Sequence, residues 1–194
     1  MKVWYDCEFI ERGNGTPIIP ISLGFVREDG AELYVIDAGS LAGVMIHPWL
    51  SVNVAPRLPI RSDNSQTHEW DPNHDEYPYV LDRHDLVQRV HNFLTEHGPV
   101  TELWTYYGAY DHVVLCQLFG TMNELPSGIP MWSHDIMQLH EWYPEVGLPP
   151  QPPVDHHAMW DARWNYEAYQ RFTSLLPKPK PALEVVDAEV VDGD

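Results

Sequence analysis

Three short acidic segments carry the residues that could do chemistry. The first is Tyr5-Asp6-Cys7-Glu8-Phe9. Side chains alternate along a strand, so Asp6 and Glu8 share one face while Cys7 takes the other. Two carboxylates on one face of an otherwise apolar strand are costly to bury unless something binds them, and hard oxygen donors at this spacing suit Mg²⁺ or Mn²⁺. A strand ending at the surface with solvated acids has the same pattern. The second segment is Gly108-Ala109-Tyr110-Asp111-His112, between an apolar strand and an apolar helix. Asp111 there fits either a metal ligand or a first-turn acid favoured by the helix dipole. The third is His156-His157-Ala158-Met159-Trp160-Asp161-Ala162. Five residues of helix turn through about 500° and rise about 7.5 Å. His156 therefore cannot stand directly above Asp161 on one straight helix, and it belongs on the segment leading into that helix. A surface histidine ahead of a helix is the plainer alternative, in a chain with 11 histidines.

The elements that must position these residues can be read from periodicity and turn chemistry. Residues 2–8, 18–26 and 32–37 read as strands of an antiparallel meander, with Glu28-Asp29-Gly30 as a turn. A short helix is expected within 45–53 and an irregular loop over 62–79. Leu86, Val90, Phe93 and Leu94 fall at helical spacing, giving a helix over 82–97 that Gly98-Pro99 stops. A strand over 101–107 and a helix over 110–119 follow. Met131-Trp132 opens a short fifth strand, followed by a helix over 135–143. Met159, Ala162, Tyr166, Tyr169 and Phe172 form the apolar stripe of a last helix over 157–175. Strands first and alternating helices and strands later imply a mixed five-stranded α/β sheet flanked by helices. One domain over 1–176 and a disordered acidic tail over 177–194 are expected.

Composition narrows the function classes. Only Cys7 and Cys116 are present, which excludes a disulfide framework and a cysteine-rich zinc site; both sit in apolar runs. His68 and His74 lie in a loop, with no HExxH motif, and phosphate loops of the Walker and GxGxxG types are absent. No apolar run approaches the ~18 residues of a transmembrane helix. The N-terminal MKVWYDCEFI lacks the regions of a signal peptide, so a cytoplasmic protein is expected. The net charge is −18, and the tail, with five acids and two lysines, leaves −15 on the rest. Such a surface cannot grip duplex nucleic acid by releasing phosphate counterions. It can act on nucleic acid where divalent ions supply the positive charge at the scissile phosphate.

Taken together, Asp-x-Glu on the first strand, Asp at a strand-to-helix junction and His-x-Ala-x-x-Asp-Ala at the last helix resemble the three motifs of the DEDDh 3′-to-5′ exonuclease superfamily. The resemblance implies a ribonuclease H-like fold, with Asp6, Glu8, Asp111 and Asp161 holding two Mg²⁺ or Mn²⁺ ions and His156 as the base. Tyr5 to Glu11 and the run from Gly108 to Leu118, continued loosely by Asn123 to Pro126, further resemble the actinobacterial polyadenylate-specific exoribonucleases of the RNase AS family. That resemblance covers most of 1–175 and departs in the acidic loop at 61–81 and in the tail. It implies single-stranded RNA with adenine-rich 3′ ends as substrate, nucleoside 5′-monophosphates as product, and a homodimer. Aromatic residues could stack on unpaired bases; Phe9 and Trp160 are candidates, as are Trp4, Trp49 and Trp70. A 3′-to-5′ DNA exonuclease would use the same acids, and a non-catalytic nucleic-acid binder of the same fold would not need them.

Overall fold

The N-terminal alternation builds a strand with two different faces. In the computed structural model, which describes residues 1–13, 15–62, 67–152 and 154–175, strand β1 runs over Lys2–Ile10. Val3, Tyr5 and Cys7 enter one apolar cluster, and Trp4 enters another on the opposite face. Strand β2 (Ile19–Arg27) pairs antiparallel with β1, and β3 (Glu32–Asp37) antiparallel with β2, which is the meander expected from the turn residues. Short helices α1 (Leu41–Ile46) and α2 (Leu50–Asn53) follow.

The segment expected to be an irregular loop is partly ordered. Strands β4 (Ile60–Ser62) and β5 (His68–Trp70) form a small hairpin, and β6 (Val80–Leu81) adds to the main sheet parallel to β3. Strands of two or three residues are too short to show alternation, so the sequence pattern missed them. Helix α3 (Arg83–Thr95) begins where the Asp82 side chain accepts the Asp85 N–H at 2.9 Å, and Gly98 follows its end at a φ of +92°. Strand β7 (Glu102–Thr105) then pairs parallel with β1 and leads into α4 (Ala109–Phe119). Strand β8 is His134–Asp135 rather than Met131-Trp132, both of which are exposed. Helices α5 (Ile136–Trp142) and α6 (Ala158–Leu175) complete the described chain.

Among the described residues the main sheet therefore has six strands, in the order β6-β3-β2-β1-β7-β8, where five were expected. The extra strand is the two-residue β6 at one edge. The architecture is a mixed α/β sheet flanked by helices, compatible with a ribonuclease H-like fold. One face packs against α3 and α4 through Leu86, Val90, Leu94, Val114 and Leu115. The other packs against α6 and, near β3, against α1 and α2. Trp4 is fully buried against Tyr166 and Tyr169 of α6, so it is core and not a platform for bases. The expected tail at 177–194 lies outside the described residues. No helix among them is long and apolar enough to cross a membrane.

Candidate active site

The site lies where β1 outruns its parallel neighbour. The β1–β7 pairing covers only Lys2 to Trp4 opposite Glu102 to Trp104. Beyond it the Cys7 N–H is free to donate to the Asp111 carboxylate at 2.7 Å. That bond draws the first turn of α4 onto the middle of β1. Asp111 is buried and stands in the first turn of α4, where the helix dipole also favours an acid.

Helix α6 closes the site from the other side. Gly24 of β2 pairs with Asp6 of β1, and a β-carbon on Gly24 would lie only 2.3 Å from the carbonyl oxygen of Ala158. The absent side chain thus lets the first turn of α6 press directly on the sheet. Buried Asn165 donates to the Tyr5 carbonyl at 2.9 Å, which fixes the helix to β1 one residue before Asp6. Asp161 accepts the His157 N–H at 3.1 Å, serving one of the amides left unpaired at a helix start. Residues four apart share a helix face, so Asp161 and Asn165 meet β1 together.

The resulting cleft has a volume of about 430 Å³. Asp6, Glu8, Asp111, Asp161 and His156 all line it, and so does Phe9, whose ring stacks on Tyr110 at 5.7 Å. Carboxylate oxygens of Asp6, Glu8 and Asp161 lie within 4.8 Å of one another. Asp111 stands just outside that triad and acts on it electrostatically. Burial, then Asp111, Glu8 and Asp161, raises the Asp6 carboxyl well above the usual carboxylate range. Burial and the charges of Asp161 and Asp111 push Glu8 up to about 8. Burial raises Asp111 to about 7 against the opposing Cys7 N–H bond, and Asp161 to about 6 against the His157 N–H bond. Burial and mutual repulsion outweigh the N–H bonds to Asp111 and Asp161 and the attraction of His156 and His157 to Asp161, and no Lys or Arg lines the cleft among the described residues. Oxygen-only donors of this kind fit a hard divalent cation such as Mg²⁺ or Mn²⁺.

The two adjacent histidines part company. His156 faces the cleft with a φ of +60°. His157 is buried on the other side, stacked on Tyr34 at 4.7 Å. Its Nδ1 accepts the Met159 N–H at 3.3 Å, which leaves the proton on Nε2 to be donated to Glu76 at 2.9 Å. Trp160 stands outside the cleft, with the Arg163 guanidinium 4.9 Å from its ring centre. Trp70 is tied down by its indole N–H on the Ala38 carbonyl at 3.0 Å.

Two supporting residues escaped the sequence reading. Asn165 left a signal, a polar residue four positions after Asp161 on an apolar stripe. Asp135 accepts the N–H groups of Tyr107 and Gly108, both at 3.1 Å, and so holds Tyr107 at a φ of +54° ahead of α4. That role depends on a contact across 28 residues, and nothing local in the sequence marks it.

A mixed sheet that brings four acids from three separate elements into one cleft defines a class of α/β protein with an acidic, cation-seeking site. No protein-family model matches the chain. It is 34% identical over 182 residues to the 3′-5′ exoribonuclease Rv2179c of Mycobacterium tuberculosis strain ATCC 25618 / H37Rv. The same figures hold for the 3′-5′ exoribonuclease MT2234.1 of strain CDC 1551 / Oshkosh; in each case the match covers 90% of this chain and 94% of the relative. The chain belongs to this 3′-5′ exoribonuclease family.

Proposed function

We propose that the protein is a divalent-metal-dependent 3′-to-5′ exoribonuclease of the DEDDh type, acting on single-stranded RNA with a preference for adenine-rich 3′ ends. The observation that carries this reading is the convergence of Asp6, Glu8 and Asp161 within 4.8 Å, with Asp111 and His156 on the same cleft. The names of the mycobacterial relatives support RNA as the substrate.

Asp6, Glu8, Asp111 and Asp161 would hold two Mg²⁺ or Mn²⁺ ions. When bound, such ions neutralise the charge of the scissile phosphate and acidify the attacking water. The neutral imidazole of His156 takes the proton from that water as general base. His157 cannot share this role, since both its ring nitrogens are engaged away from the cleft. The Cys7 N–H keeps Asp111 oriented, and Asn165 keeps α6 in register with β1. Phe9, beside Glu8 on the cleft wall, offers its ring to the terminal base. Trp160 lies beyond the cleft and could meet only a nucleotide further along the strand. Attack on the terminal phosphodiester releases one nucleoside 5′-monophosphate and leaves a chain one nucleotide shorter.

Side-by-side digestion of oligo(A), oligo(U), oligo(C) and the matching DNA strands tests the substrate. Oligo(A) is expected to disappear first. Equal rates on the three RNAs would remove the adenine preference, and faster cleavage of DNA would make the protein a DNA exonuclease.

A further inference from the structure

The proposed general base sits on unusual backbone. At a φ of +60°, His156 occupies the left-handed region that a β-carbon disfavours. Its imidazole makes no hydrogen bond among the described residues, and nothing of that kind fixes the ring. One aromatic contact does. Trp49 meets the His156 ring edge to face, with centroids 4.8 Å apart and planes at 78°. Directly before it, the Asp155 carbonyl accepts the Arg57 Nε–H at 3.1 Å.

Both partners come from one short segment. Trp49 precedes α2, and Arg57 follows it. Between them Leu50, Val54 and Ala55 are buried in the same cluster as Ile10 and Ile36. The Trp49 carbonyl accepts the Asn53 N–H at 3.0 Å and the Asn53 side-chain amide at 2.8 Å. The segment is thus rigid where it meets the sheet. Trp49 nevertheless leaves 48% of its surface exposed, although an apolar core lies beside it. The indole lies over the turn that carries the histidine.

We propose that Trp49 and Arg57 are positioning residues for the general base. Together they hold the 155–156 turn in its left-handed form, with the imidazole directed at the acids. Arg57 fixes the backbone, and Trp49 fixes the ring. The proposal rests on His156 being the base, and it separates Trp49 from the base-stacking role that its exposure alone would suggest. A freely turning imidazole would spend little time where it can take the proton, and misplacement by about 1 Å can cost on the order of 10²-fold in rate.

The test uses the full chain with Trp49→Ala, Trp49→Phe, Arg57→Ala and Arg57→Lys, each alone and in a His156→Ala background. Trp49→Ala should lower kcat by roughly 10–100-fold with KM little changed. Trp49→Phe should recover most of the loss, since a phenyl ring can keep the edge contact. Arg57→Ala should lower kcat less, and Arg57→Lys should restore it, because an ammonium also donates to a carbonyl. In the His156→Ala background, Trp49→Ala should cost no more than about twofold further, as for two residues acting through one group. A raised KM with unchanged kcat, or a full loss that persists without His156, would overturn the proposal and make Trp49 a substrate contact. A second readout needs no RNA and no metal. The His156 imidazole resonances of the free protein should shift and broaden in Trp49→Ala. Unchanged resonances would overturn the proposal whatever the activity, whereas absent nuclease activity in the unsubstituted protein would overturn the functional reading alone.

Discussion

Gly24 offers the sharpest perturbation of the site from outside it. In the middle of a strand, alanine is ordinarily the better residue by about 0.5–1 kcal/mol. Here the added β-carbon would meet the Ala158 oxygen at 2.3 Å, the Ala158 carbon at 2.5 Å and the Met159 Cα at 2.6 Å. Ordinary contact begins near 3.4 Å, and all three atoms are backbone, so no side chain can turn away. The first turn of α6 must retreat by about 1 Å, and overpacking of this kind costs about 1–3 kcal/mol. Net of the strand preference, up to about 2.5 kcal/mol of destabilisation remains, a fall in Tm of up to about 10 °C for a chain of this size. Asp161 stands three residues beyond the collision and moves with the turn, out of reach of Asp6 and Glu8. Gly24→Ala should therefore weaken Mn²⁺ binding measured by calorimetry. It should also lower kcat on oligo(A) by on the order of 10²-fold at a temperature where circular dichroism shows the protein folded. A variant with the lower Tm but unchanged metal affinity and kcat would refute the claim that this close approach sets the site.

Further expectations concern the acids, the histidines and the assembly. Glu8, Asp111 and Asp161 are raised to about 8, 7 and 6, from unfolded values near ~4. Groups raised on folding favour the folded state most at low pH, and that contribution is lost as pH climbs through the raised values. The metal-free protein should lose thermal stability between about pH 4 and 8, and Mn²⁺ should flatten the slope; a flat profile in EDTA would count against the buried acid cluster. Asp6→Asn or Asp111→Asn should reduce turnover by several orders of magnitude while the metal-free protein melts no lower, measured by kinetics and calorimetry side by side. His156→Ala should lose roughly 10²–10⁴-fold in rate with metal still bound, as for a general base. His157→Ala should chiefly lower Tm, because it removes a buried ring from Tyr34 and Glu76; the opposite ranking would exchange their roles. A homodimer is expected in solution, and light scattering that gives a monomer mass at micromolar concentration would refute it.

Asp6 and Glu8 were legible as a pair because their spacing is a property of a single strand, whereas Asp111, Asp161 and His156 joined them only through the resemblance to the DEDDh motifs. The side chains of Asp6 and Glu8 share one face of β1, and helical pitch put His156 off the helix that carries Asp161, where the structure has it ahead of α6 at a φ of +60°. The long helices were legible for the same reason, since Leu86, Val90 and Leu94 repeat at the period of the face they bury. What could not be read depends on contacts between distant segments. The two-residue β6 exists because Val80 and Leu81 find the edge of β3. Glu76, in a stretch with no period, becomes the partner of His157 across 81 residues. Trp4 and Trp49 look alike as aromatic residues in sequence, yet one is core under α6 and the other touches His156. Gly24 reads as an ordinary strand glycine until the helix pressed against it is known.

In the proposed function the acid cleft, loaded with divalent ions, would shorten RNA from its 3′ end. The most direct measurement follows a 5′-labelled oligo(A) with metal-stripped protein to which Mg²⁺, Mn²⁺ or EDTA is added, resolving the products by chromatography and mass. Stepwise shortening from the 3′ end and release of the nucleoside 5′-monophosphate are expected with either metal. No digestion is expected in EDTA or with Asp111→Asn. Full digestion in EDTA, or internal fragments in place of a ladder that shortens from the 3′ end, would contradict the proposed function.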